Sequence, residues 1–212
     1  DLDATQWQRR LQRHAATSPP TEALTQVSTE PLQAPLAPSA EQQAALDDIA
    51  QAAGPFVLWG ATGSGKTEVY LQAVARLLAG HPDAQALVMV PEINLTPQLL
   101  ARFVARHWLA AHRGQARIVL GTRMAVLASL PRLGLIVVDE EHDASYKQQE
   151  GARYSARDLA IYRGQRGNAK VILGSATPSL ESWHHSRPAT ANDAAGRYKR
   201  LSMPQRLSLI HI

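Results

Sequence analysis

The stretch PFVLWGATGSGKTEVYLQAVARLLA, Pro55 to Ala79, decides the fold. It opens with an apolar run, Pro55 to Trp59, and closes with Glu68 to Ala79, whose apolar residues recur at helical spacing. Between them stands Gly60-Ala61-Thr62-Gly63-Ser64-Gly65-Lys66-Thr67, the pattern G-x4-G-K-[ST]. Strand, glycine-rich turn and helix in that order are the context a phosphate-binding loop requires. The glycines let the backbone turn and present consecutive N–H groups to phosphate oxygens, while the helix aims the positive end of its dipole at the same anion. In this reading Gly60, Thr62, Gly63, Ser64 and Gly65 cradle the phosphates of ATP. Lys66 reaches the β and γ phosphates, and the Thr67 hydroxyl ligates Mg²⁺. The alternative is a glycine-rich turn followed by a solvated first-turn lysine, and a second motif weighs against it.

That motif is LGLIVVDEE, Leu133 to Glu141. A run of buried-strand residues, Leu135 to Val138, delivers Asp139 and Glu140 at its carboxyl end, where open parallel sheets place their ligand sites. Asp139 is suited to hold Mg²⁺ through water, and Glu140 to orient or deprotonate the attacking water. A strand end meeting solvent would also carry Asp and Glu. The pairing with a phosphate loop favours the catalytic reading.

Outward from these two motifs the chain alternates. Strands are expected at 55–60, 86–91, 116–121, 134–139 and 170–174. Helices are expected at 39–53, 66–79, 97–112, 124–129, 155–164 and 179–185. The alternation predicts an α/β fold with a mostly parallel sheet flanked by helices. The strand ends carry Gly60, Pro91-Glu92, Gly121-Thr122-Arg123, Asp139-Glu140 and Gly174-Ser175-Ala176-Thr177. Thr122 and Arg123 offer a hydroxyl and a guanidinium suited to a sugar–phosphate backbone. Ser175 and Thr177 offer small hydroxyls able to sense the nucleotide, or else a helix cap before Pro178.

With 212 residues, 45% of them hydrophobic, the chain can bury a full core, and it holds no apolar run long enough to span a bilayer. It has no cysteine, which excludes disulfides and Cys-ligated zinc within this segment. The net charge of +4 leans mildly toward polyanionic partners. Arg153, Arg157, Arg163, Arg166 and Lys170 cluster, as a nucleic-acid-tracking surface or as a solvated helix face. Residues 15–40 are rich in Pro, Ser, Thr and Ala and read as a linker ahead of the domain.

GATGSGKTEVYL, VPEINLTPQLLARF, ARIVLGTRMAVLASLPRLGLIVVDEEHDASYKQQEGARYSARDLAIYR and KVILGSATPSLESW together resemble the first motor lobe of the PriA family of replication-restart helicases, within helicase superfamily 2. The resemblance covers roughly Ser39 to Arg206. It implies a RecA-like P-loop NTPase lobe and an ATP-driven 3′-to-5′ DNA helicase that acts at stalled forks and reloads the replisome. It implies ATP and Mg²⁺ as cofactors, single-stranded and forked DNA, primosome proteins and single-strand-binding protein as partners, and a bacterial cytoplasm as location. Lys66 and Thr67 then belong to motif I, Asp139, Glu140, Glu141 and His142 to motif II, and Ser175 to Thr177 to motif III. Gln42 falls where related helicases read adenine, although Ser39 and Ala40 depart from that pattern. Pro91 to Thr96 matches motif Ia and Gly121 to Arg123 motif Ib, both DNA-facing in the family. Ser145 to Tyr154 resembles an aromatic-rich loop that couples DNA occupancy to hydrolysis. Bases would stack there on Tyr146 or Tyr154, with Lys147 beside them. Core aromatics are the alternative.

The resemblance also implies losses. Some two dozen residues, including a strand and a His-Ser-Gly segment, normally separate a helix like Ala101 to His107 from a stretch like Trp108 to His112, so one family strand is expected to be deleted near 107–108. Residues 1–37 would be the remnant of an upstream DNA-binding region and linker, 38–186 the ATP-binding lobe, and 187–212 a truncated tail. The zinc-binding insertion and second motor lobe would lie downstream, which leaves this segment alone inactive. Leu207 to Ile212 (LSLIHI) matches the translation of a transposase adapter, or is a short β tail. A P-loop ATPase of another class and a non-catalytic fragment are the competing readings. The first would not respond to DNA.

Overall fold

A computed structural model describes residues 37–91, 111–190 and 194–206, and the compact unit it forms begins at Pro38. Helix α1, Ala40–Gln51, starts at a capping box. The Ser39 hydroxyl accepts from Gln42 N–H at 3.3 Å and the Gln42 side chain accepts from Ser39 N–H at 2.7 Å. Strand β1 (Phe56–Gly60) then leads through the glycine-rich turn to α2 (Lys66–Gly80), followed by β2 (Gln85–Met89). Next come β3 (Ile118–Gly121), a 3₁₀ turn at Arg123–Leu127 and β4 (Leu133–Val138). A two-residue ladder, β5 (Lys147–Gln148) with β6 (Tyr154–Ser155), precedes α3 (Ala156–Gly167). Strand β7 (Lys170–Ser175), α4 (Leu180–His185) and β8 (Lys199–Met203) complete the described elements.

Six strands form one sheet in the order β3-β2-β4-β7-β1-β8, and every neighbouring pair is parallel. Side chains alternate between faces along a strand, so each of these apolar runs feeds two cores. Phe56, Leu58, Val137 and Ile172 pack on one face with Leu46 and Ile49 of α1 and Val69, Tyr70 and Val74 of α2. Val57, Leu87, Ile136, Val138 and Leu173 pack on the other with Ala156, Ala160 and Ile161 of α3 and Val126 of the 3₁₀ turn. Each fully buried aliphatic side chain contributes about 1.5–3 kcal/mol. The middle of the sheet is therefore the most strongly fixed part of the lobe.

The five expected strands all form, each within two residues of its expected bounds. Two expectations change. The segment expected as a helix at 124–129 is the 3₁₀ turn Arg123–Leu127. The expected lobe boundary at 186 is too early, because β8 pairs with β1 from Phe56↔Lys199 to Gly60↔Met203 and buries Leu201 and Met203 in the first core. Its pattern, KRLSM, is too short for periodicity to mark it as a strand. The expected helix at 97–112 lies mostly outside the described residues. The junction at 107–108, residues 1–36 and the 207–212 hexapeptide lie wholly outside them. Among the described residues no helix is long and apolar enough to cross a membrane.

Candidate active site

Strands β4, β7 and β1 are consecutive neighbours, so the segments leaving their carboxyl ends stand side by side. The phosphate loop leaves β1, the Asp139–His142 segment leaves β4, and Ser175–Thr177 leaves β7. This is the edge at which open parallel sheets bind ligands.

In the phosphate loop, Gly65 adopts φ 82° immediately before α2, a left-handed turn that a side chain would strain. No side chain caps α2. The Lys66 ammonium donates to the carbonyls of Gly60 (2.9 Å) and Ala61 (3.4 Å), and the residue is only 8% exposed. The Ser64 hydroxyl is buried without a hydrogen-bond partner. An uncapped helix start, a folded-in lysine and an orphaned hydroxyl are the donor set a polyphosphate would satisfy. Thr67 stands exposed in the first turn, as do Thr62 and Gly63 in the loop. Gln42 is buried beside this loop and donates to the Gly65 carbonyl at 3.2 Å, so α1 is tethered to the phosphate loop.

Asp139 is gripped from two sides. Tyr70, one turn beyond Lys66 on α2, donates to the Asp139 carboxylate at 3.1 Å, and Tyr146 donates to the Asp139 carbonyl at 2.7 Å. Burial first, then the neighbouring Asp139 charge, pushes both phenols well above their ordinary pKa, so both remain donors. Gly174 makes room for this arrangement, since a Cβ there would lie 1.5 Å from the Tyr70 oxygen.

Glu140 takes φ 45°, uncommon for a residue with a side chain. Its carboxylate lies 3.6 Å from His142 Nδ1. The same nitrogen is 2.8 Å from the Ser175 hydroxyl, and Nε2 is 3.4 Å from that of Thr177. The Ser175 hydroxyl also accepts from Thr177 N–H at 2.9 Å. Neither residue caps α4, because Ser179 does so by accepting from Ser182 N–H. The capping alternative for Ser175 and Thr177 is thereby removed. Trp59, at the end of β1, donates to the Ala176 carbonyl at 3.2 Å and completes the link between the three strand ends.

The segments expected to face DNA are less uniform. Arg123 donates to the Ser145 carbonyl at 3.4 Å, and the Tyr154 hydroxyl lies 3.2 Å from Met124 Sδ, so the β5–β6 ladder sits against the 3₁₀ turn that follows Thr122. Lys147 is exposed and Tyr154 half-buried. Tyr146 is 2% exposed and packs in the second core, so base stacking on it is closed and its hydroxyl is turned to the Asp139 carbonyl. Pro91 stands just beyond β2, and Thr96 lies outside the described residues.

Three members of the basic cluster are engaged within the protein, while Arg153 and Arg166 are exposed. Arg157 is enclosed with acids, Arg163 donates to the Val126 carbonyl, and Lys170 donates to the Ile49 and Ala50 carbonyls at the end of α1. Burial lowers the pKa of Arg163 and of Lys170. Among the described residues no group of His, Asp or Glu side chains forms a metal cluster of its own.

Sequence reasoning missed Tyr70 and Ser182, and it did not join Glu141, read as part of motif II, to Arg157, read as part of the basic cluster. For Tyr70 a signal existed, since it lies four residues after Lys66 on one helix face. The other three meet only in the folded chain.

Residues 39–185 match the family model for the DEAD/DEAH box helicase. Replication restart protein PriA of Bacillus subtilis is 40% identical over 204 residues, covering 85% of this chain and 24% of the relative. The protein of that name from Haemophilus influenzae is 44% identical over 170 residues, covering 71% and 22%. The chain thus spans about a quarter of the length of the curated relatives it matches. The crystal structure of the DUF1998 helicase MrfA bound to DNA overlays 79% of this chain and 25% of that one, at 16% identity and a TM-score of 0.49.

Proposed function

The chain belongs to the DEAD/DEAH box helicase family, and on that premise we propose that it is the ATP-binding motor lobe of an ATP-dependent 3′-to-5′ DNA helicase acting in replication-fork restart. The observation that carries this reading is the set of contacts across the phosphate-loop helix and two strand ends: Tyr70 hydrogen-bonded to Asp139, His142 hydrogen-bonded to Ser175, and the Glu140 carboxylate 3.6 Å from His142. It is a built connection between nucleotide and neighbouring segments, which a motor needs and a passive binding site does not. The likeness to replication restart proteins supports the assignment to restart. Single-stranded and forked DNA are the proposed substrates. Primosome proteins and single-strand-binding protein are the proposed partners, in a bacterial cytoplasm.

Within this reading Lys66 exchanges the carbonyls of Gly60 and Ala61 for the β and γ phosphates, and the Ser64 hydroxyl and first N–H groups of α2 complete the cradle. Mg²⁺ carried by the nucleotide would be held by Thr67 and Asp139 and would neutralise phosphate charge. Glu140 orients the attacking water and takes its proton. His142 reports on that carboxylate to Ser175 and Thr177, so occupancy of the nucleotide site is felt at motif III. Thr122, Arg123, Lys147 and Tyr154 form the DNA-side contacts; Pro91 and Thr96 are proposed to join them, Thr96 lying outside the described residues. Gln42 senses the adenine end in this reading, and its hydrogen bond to the Gly65 carbonyl supports that role.

The test uses the full-length protein that carries this lobe. ATP hydrolysis should rise with single-stranded and forked DNA, and duplex ahead of a 3′ tail should unwind. Glu140→Gln should bind ATP normally and turn over about 10²- to 10³-fold more slowly. Hydrolysis indifferent to DNA would sink the helicase reading in favour of another class of P-loop ATPase.

A further inference from the structure

The acid that follows Glu140 has no part in that scheme, yet it is fully enclosed. The Glu141 side chain is 0% exposed and its carboxylate accepts four hydrogen bonds. Ser179 N–H donates to one oxygen at 2.6 Å. The other accepts from the Ser179 hydroxyl (3.1 Å), the Ser182 hydroxyl (3.0 Å) and the Arg157 guanidinium (3.3 Å). Arg157 in turn donates to the Ser179 hydroxyl at 2.8 Å and to Asp158 at 2.8 Å, with Glu181 at 3.8 Å. One carboxylate and one guanidinium therefore join the end of β4, the start of α3 and the cap of α4.

Such a joint is a poor device for stability alone, because desolvating two buried charges offsets most of their attraction. Its position suggests another use. Glu140 is held in a left-handed conformation, which persists only where the surroundings over-determine it. On its amino-terminal side Asp139 is fixed by Tyr70 and Tyr146. On its carboxyl-terminal side Glu141 is fixed twice, by its N–H to the Gly174 carbonyl at 3.0 Å and by its carboxylate. The same carboxylate anchors Ser179, two residues after Thr177, which sets where the Ser175–Thr177 segment lies against His142.

We propose that Glu141 and Arg157 are positioning residues for ATP hydrolysis: together they hold Glu140 in its left-handed conformation and keep Ser175–Ser179 in register with His142. This rests on the reading of the site as an ATPase. It predicts a defect in turnover rather than in nucleotide affinity, because neither residue touches the phosphate loop.

The experiment compares full-length wild type with Glu141→Gln, Arg157→Met, the double variant Glu141→Met/Arg157→Met, and the mild Ser182→Ala. Nucleotide Kd and Tm are measured for each, and kcat is normalised to nucleotide-binding sites so that misfolded material does not count. Both single charge variants should lose Tm and about 10- to 100-fold in kcat, the scale of a small misplacement of catalytic groups, with Kd within about threefold of wild type. The double variant removes both buried charges, so its Tm should return toward wild type while kcat stays low. Ser182→Ala should fold normally and lose kcat by a few-fold. Normalised kcat within about twofold of wild type in the variants, or kcat that recovers together with Tm in the double, would show a merely structural joint and overturn the proposal. Wild type that hydrolyses no ATP would fail the ATPase reading itself, and this proposal with it.

Discussion

The carboxyl ends of β4, β7 and β1 contrast with the edge strand β3. At the former, Lys66, Asp139, His142 and Ser175 each hold hydrogen bonds within the protein, and a wholly buried acid anchors the segment behind them. At the latter, Ile118 is 51% and Leu120 62% exposed, and Met124 and Leu127 of the following turn are 48% and 53% exposed. Both regions lie on one sheet and both carry residues assigned to function. The difference follows from what each handles. Charge that changes during a reaction is controlled best by dipoles fixed in advance. Contact with a flexible, sequence-varied strand needs chemistry at the surface but little prior wiring.

The largest effect should come from the wired side. Lys66→Ala removes the cation that the loop holds in place, so hydrolysis in the full-length protein should fall by at least about 10²- to 10³-fold. The fold should survive, because among the described residues the ammonium bonds to two loop carbonyls alone. Circular dichroism and an ATPase assay together check this. Normal turnover would end the phosphate-loop assignment and with it the contrast between the two regions.

The two tyrosines of the Ser145–Tyr154 segment test where the boundary between the regions runs. Tyr146 belongs to the buried side and Tyr154 to the accessible one. Tyr146→Ala should cost about 3–5 kcal/mol, as for other large buried aromatics, and lower Tm accordingly. Tyr146→Phe should keep the packing but release the Asp139 carbonyl, slowing basal and DNA-stimulated hydrolysis alike. Tyr154→Ala should leave Tm nearly unchanged and reduce the DNA-stimulated rate more than the basal one. Equal losses at Tyr154 would make it a packing residue and move the boundary outward.

The same division governs what was legible in the sequence. The phosphate loop, Asp139–Glu140 and Ser175–Thr177 could be read because each is a contiguous pattern whose mechanism is local. The strands around them could be read because a doubly covered parallel sheet demands unbroken apolar runs. The joint at Glu141 could not. Its partners lie 16, 38 and 41 residues away in sequence, and nothing at Arg157, Ser179 or Ser182 marks them as its ligands. Tyr146 misleads for the opposite reason, since an aromatic in a polar loop looks available for stacking until the core of α3 and β4 closes over it. The arginine cluster likewise divides, because adjacency in sequence says nothing about Arg157 meeting Glu141 or Arg163 meeting the Val126 carbonyl.

The smallest expected effect concerns the bare edge. Of β3, the face bearing Ile118 and Leu120 extends the α2-side core past its helical cover, and its register partners are Ala86 and Val88 of β2. An exposed apolar edge strand is a template for pairing with other chains, and natural sheets blunt such edges with lysine. Leu120→Lys should therefore change folding stability by no more than about 0.5 kcal/mol, as for other exposed positions, leave ATP affinity intact, and reduce concentration-dependent self-association in sedimentation. The same substitution at Ile136, one strand beyond β2 and 0% exposed, should prevent folding. A large loss of Tm in Leu120→Lys would mean that this face is covered in the folded protein, and the contrast between a wired edge and a bare one would then have to be drawn elsewhere.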